Sequence, residues 1–199
     1  MSTLFSRRAA GLVSVAASGL ILLYQVSQII LVLTVSELFF NATQSVRFGL
    51  ALIAMYVLLL ALTALYWLEA KVVAGLGLVG YLIAFLGTLM VAGDWWYETF
   101  IGPILRDRVP EILEGARPAL VLFGAFVTSG AFAVGWFIFG LSSYRASIFP
   151  KGASILMMFG GLVGAVTLIV GSQIPLALAV GWIGLSLIRP DSGGSSTNN

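Results

Sequence analysis

The stretch Val46 to Leu68, VRFGLALIAMYVLLLALTALYWL, decides the fold. Past Arg47 it carries no charge. A run of about 20 apolar residues matches, as a helix, the ~30 Å hydrocarbon core of a bilayer. Similar runs recur on both sides, at roughly Ala9–Val35, Val72–Ala92, Pro118–Leu141, Gly152–Gly171 and Ile174–Ile188. The last is short and follows Gly171-Ser-Gln-Ile-Pro175. There the proline removes a backbone donor and restrains the residue before it. Two short spans with a tight break fit this better than one long helix, which would overshoot the bilayer. The chain therefore reads as all-α: a polytopic transmembrane helix bundle of about six spans, one domain over 1–189. The Gly/Ser-rich tail 190–199 reads as disordered.

Composition agrees. The 199 residues are 60% hydrophobic and 9% charged, with a mean hydropathy of +1.07. A soluble domain carries about 25% charged residues; this chain cannot cover itself with polar groups, so its solvent is lipid. A net charge of +2 without a basic cluster gives nucleic acid nothing to bind. With no Cys and no His there is no disulfide, thiolate nucleophile, haem-ligating imidazole or ordinary zinc site. No cofactor or metal is expected. Lys71 and Lys151 fall at predicted helix ends, unsuited to a buried Schiff base.

Charge placement sets the expected orientation. With the N-terminus inside, six basic residues (Arg7, Arg8, Lys71, Arg145, Lys151, Arg189) lie inside and four (Arg47, Arg106, Arg108, Arg117) outside. By the positive-inside rule this places both termini in the cytoplasm of a cell-membrane protein. Arg7 and Arg8 read as anchors of a retained helix, because the apolar run after them is about twice the 7–15-residue core of a signal peptide. No ionisable group sits near the middle of any predicted span. Ion pumps and voltage sensors keep such groups there.

The segment 93–117 is the one substantial loop, between spans three and four. It opens with Gly93-Asp-Trp-Trp-Tyr-Glu-Thr-Phe-Ile-Gly-Pro103. Tyr97, Phe100, Ile101, Ile104 and Leu105 recur at helical spacing, and Pro103 and Pro110 each suit a first helical turn. Two short amphipathic helices on the outer leaflet are expected. Trp95, Trp96 and Tyr97 match an interfacial aromatic belt. Asp94 and Glu98 stand one turn apart on one face. With Glu37, predicted on the same side, they are the candidate acid/base carboxylates. As structural groups they would instead charge a helix start or pair with Arg47, Arg106 or Arg117.

Two further patterns bear on packing. Gly80, Ala84 and Thr88 form a small-residue ladder, as do Gly160, Gly164 and Gly171 with Gly161 and Ala165 beside them. Such faces let helix backbones approach, either within the bundle or between copies in a homo-oligomer or larger membrane complex. Ser14, Ser18, Gln25 and Gln28 make a polar stripe on the first span, flanked by Tyr24. Unsatisfied amides facing lipid would be expensive, so the stripe faces the bundle. It either bonds neighbouring helices or lines a polar cavity. Gln25, Gln28, Trp95, Trp96 and Tyr97 are accordingly the candidate ligand-binding residues.

The GDWWYETFIGP stretch, an amphipathic loop, then Phe126–Gly161 (FVTSGAFAVGWFIFGLSSYRASIFPKGASILMMFGG) resembles small multi-pass membrane proteins of bacteria and archaea. The resemblance covers roughly Leu76 to Gly164 and implies no activity and no residue role. Three functions are expected in order. The first is a non-enzymatic accessory or packing protein, or one that binds a small apolar ligand such as a membrane lipid. The second is an outer-leaflet enzyme acting on a lipid or isoprenoid through Asp94, Glu98 and Glu37. The third is a passive solute transporter or channel lined by Gln25 and Gln28.

Overall fold

The computed structural model describes residues 6–34, 37–109, 118–166 and 170–189, and among them every regular element is a helix. We number them α1 (Arg7–Thr34), α2 (Glu37–Phe100), α3 (Gly102–Arg108), α4 (Ala119–Ala146), α5 (Lys151–Gly164) and α6 (Ile174–Ile188). Among the described residues, four stretches are long and apolar enough to cross a membrane: Arg7–Leu33, Thr43–Val73, Gly75–Phe100 and Ala119–Ala146. The helices α5 and α6 are shorter, 14 and 15 residues, or about 21 and 22 Å at 1.5 Å per residue.

Helix α2 has 64 residues; straight, it would be about 96 Å long. It is not straight. Phe48 packs on Trp95 with ring centroids 5.2 Å apart, and Tyr66 stacks on Tyr81 at 4.3 Å. Those pairs require the chain to double back between Tyr66 and Tyr81. The arms correspond to the second and third expected apolar runs, and the Glu69–Lys71 segment expected between them is helical. Glu69 therefore lies inside the first arm. The second arm also runs past Ala92 through Phe100, so Trp95, Trp96 and Tyr97 end a long helix instead of opening the loop expected at 93–117. Pro103 does restart a short helix, in the first turn of α3. The second expected amphipathic helix, at 110–117, lies outside the described residues.

The helices close a ring: α1 on α2, α2 on α4, α4 on α5, α5 on α6, and α6 back on α1. Its centre is filled by Phe132, Trp136 and Phe139 of α4 with Met55, Leu58, Leu62, Leu65 and Ile183. Leucines such as Leu12, Leu60, Leu86 and Leu178 stay on the outside. In lipid, apolar burial drives little helix association, so close backbone approach has to supply contact. The small-residue ladders do this inside the chain. A Cβ on Gly135 would strike the Ala84 backbone, one on Gly87 the Phe132 backbone, and one on Gly160 the Leu176 backbone. Trp136 Nε1 donates to Thr88 Oγ1 across the same α2–α4 seam (3.0 Å).

Contacts also align the two ends. Gly11 meets Gly184, Gly152 meets Trp182, and Glu69 meets Ser143. Arg7, Lys71, Arg145, Lys151 and Arg189 thus gather at one end of the ring. At the other end Tyr24, Phe48, Trp95 and Gln173 come together.

The fifth helix stops at Gly164, short of the expected Gly171. Gly171 has φ +88°, a left-handed conformation that glycine adopts at little expense. It turns the chain into α6, which starts at Ile174 as expected.

Candidate functional site

The polar stripe of α1 leads to the end of the ring away from the basic cluster. Spacings of three, four and seven residues stack Ser14, Ser18, Gln25 and Gln28 on one helical face, and all four are buried, as is Tyr24. The face looks at α6 and the α5–α6 turn. Gln25 Nε2 donates to Gln173 Oε1 (3.2 Å), while the Gly171 backbone N–H donates to Gln25 Oε1 (2.9 Å). One turn on, Gln28 Nε2 donates to Tyr24 Oη (3.0 Å), and Arg47 Nη2 donates to Gln28 Oε1.

Arg47 was expected on the outer side, at the start of the second span. It is buried against α1, its guanidinium 6.0 Å from the Phe48 ring centre. Arginine suits this place because its planar group both donates in a fork and stacks on rings.

The three aromatics of GDWWYETFIGP part company. Successive helical residues are rotated by about 100°, so they cannot share a face. Trp95 turns inward, edge-on to Tyr24 at 5.4 Å and tilted on Phe48. Trp96 and Tyr97 are exposed, and Trp96 packs on Phe100. Only Trp95 joins Gln25 and Gln28.

The carboxylates do not join them. Asp94 is exposed. Glu98 accepts from Arg106 Nη1 (3.1 Å) in an ion pair about one-third exposed on each side. Gly102 leaves the space this pair crosses, since a Cβ there would meet both Arg106 and Glu98. Arg106, one of the three arginines weighed as partners, pairs with Glu98; Arg117 and the Glu37 side chain lie outside the described residues. Among the described residues no three His, Cys, Asp or Glu side chains gather as metal ligands would.

No protein family, curated protein or solved structure compared with the chain matches it. The site therefore rests on its own geometry.

Two residues escaped the sequence reading. Gln173 stands in a turn, where periodicity carries no information. Glu69 is wholly buried, yet it lies in phase with Leu58, Leu62 and Leu65, the buried face of the first α2 arm. That spacing was a usable signal, masked by Lys71 two residues on, which made the segment look like a helix end.

Proposed function

We propose that the protein is a non-enzymatic membrane protein of six spans, with both termini cytoplasmic, acting as a packing or accessory component that holds membrane lipid against its rim. One observation carries this reading. Three of the polar candidates are engaged with neighbours: Gln25 with Gln173 and Gly171, Gln28 with Tyr24 and Arg47, and Glu98 with Arg106. A channel lined by Gln25 and Gln28 loses support, because bonded amides do not line an aqueous path. A carboxylate enzyme loses support too, since Asp94 faces outward and Glu98 already holds a cation. Exposed Trp96, Phe100 and Ile104 at this end supply the apolar and amphipathic surface that lipid headgroup regions favour.

The test is reconstitution of the purified chain with mixed phospholipids and polyprenyl phosphates. We expect lipid to co-purify, less of it after Trp96→Ser with Phe100→Ser, and no new product. Turnover that Asp94→Asn abolishes would overturn the reading in favour of the enzyme. The six-span topology is checked separately, because the sequence contains no cysteine. An impermeant maleimide should reach Asp107→Cys from outside the cell, but Ser147→Cys and Ser195→Cys only after lysis.

A further inference from the structure

At the basic end, Glu69 is enclosed between α2 and α4 with no exposed surface. Its hydrogen-bond partner is Ser143, whose Oγ lies 2.9 Å from Glu69 Oε1. The other carboxyl oxygen, Oε2, is buried without a partner among the described residues. The same Ser143 Oγ lies 2.9 Å from the Phe139 carbonyl. A hydroxyl has one hydrogen, so it cannot serve both acceptors at once. An ionised Glu69 would hold a full charge out of water with at most one donor facing it.

Among the described residues no basic side chain bonds the Glu69 carboxyl. Lys71 of α2, Arg145 of α4, Lys151 of α5 and Arg189 beyond α6 are all exposed. Lys151 Nζ lies over the Tyr144 ring at 5.7 Å. An unpaired buried carboxylate is neutralised in preference to remaining charged, and an ionisable group inside a membrane bundle marks a functional site by default.

A proton on the carboxyl resolves the count. Its new O–H bond can donate to Ser143 Oγ, which frees the Ser143 hydrogen for Phe139. Ser154 of α5 is a second buried hydroxyl at this end of α4. Its Oγ is buried without a partner among the described residues, and its backbone packs on Gly140, one turn from Ser143. A cleft of about 350 Å³ is lined by Val72, Val73, Leu76, Ser142, Arg145 and Ala146. Those residues follow Glu69 by one to two turns or flank Ser143 in sequence.

We propose that Glu69 is a reversible proton-binding site of the bundle, loaded from water in this cleft and held in place by Ser143. Loading moves one proton from hydronium to the carboxylate, leaves water, and takes the site from −1 to neutral. No electron moves and no other bond breaks.

The experiment is infrared difference spectroscopy of the full chain in phosphatidylcholine vesicles, stepped between acid and alkaline buffer. A carboxylic-acid C=O band that shifts on deuteration is expected. Glu69→Gln, close to isosteric and neutral, should remove it, and Ser143→Ala should displace it. Ala146→Trp, which fills the cleft, should slow its deuteration without changing its height. A band unchanged in both Glu69→Gln and Ser143→Ala overturns the assignment. So does a band that sodium or potassium removes at constant pH, which makes a metal ion the occupant. Should Glu69→Gln fail to fold, the Ser143→Ala displacement decides alone.

Discussion

At Gln25 a side-chain amide takes over work that the backbone does for itself in a continuous helix. The α5–α6 turn exposes the Gly171 N–H, and Gln25 Oε1 accepts it while its Nε2 reaches Gln173. Irregular backbone among membrane helices persists only where protein satisfies it. We expect Gln25→Leu to destabilise the fold by about 1–2 kcal/mol, because it orphans a buried donor and an acceptor together. The comparison is Ser27→Ala, whose half-buried hydroxyl bonds only its own helix and whose loss should stay within about 0.5 kcal/mol. Denaturant unfolding in mixed micelles separates the two. The α1 side of this contact was legible from residue spacing alone. Its partner was not, because Gln173 sits in a turn set by Gly171 and Pro175, and nothing local says which helix faces it.

Helix pairing depends on small residues at the α2–α4 seam. There Gly87 and Gly135 let backbones touch, and Trp136 bonds Thr88. Gly135→Ala should separate the helices and destabilise by about 1–3 kcal/mol, the range for overfilling a packed site. Gly124→Ala on the same helix, where an added Cβ meets nothing within 4 Å, should be neutral or slightly stabilising. Thermal unfolding of the pair in one detergent reads the difference. A double-mutant cycle of Thr88→Val and Trp136→Phe should give a coupling of about 0.6–1.7 kcal/mol, the range for interhelical bonds in membrane bundles. The Gly80–Ala84–Thr88 ladder could be read in advance as an interface. Its use between α2 and α4 could not, because glycine spacing says a helix will approach without saying which one. The hairpin in α2 was legible as two apolar runs. The burial of Glu69 was not legible, because Lys71 beside it looked like a loop residue, whereas Glu69 continues the buried 58–62–65 face.

Across the whole molecule the two ends differ in charge. Arg7, Arg8, Lys71, Arg145, Lys151 and Arg189 sit at one end, with the nearby acid Glu69 enclosed; Asp94, Glu98, Arg106, Asp107 and Arg108 mix both signs at the other. If loop cations set insertion, replacing Lys71, Arg145 and Lys151 by Gln should give a mixed population, seen as partial labelling of Ser147→Cys in intact cells. By contrast, Arg106→Gln at the mixed end should change unfolding by less than about 1 kcal/mol, because part-exposed ion pairs are screened. The ring of helices is also uneven in height. The first arm of α2 has 31 apolar-rich residues, about 46 Å of helix, whereas α5 has 14, about 21 Å. A bilayer meeting both sides at once faces a hydrophobic mismatch of opposite sign on each. It is relieved by tilting the long arm or by thinning lipid beside the short pair. The tilt should therefore grow as acyl chains are shortened and the dimple beside α5 and α6 deepen as they are lengthened, so that the molecule senses membrane thickness on two flanks separately.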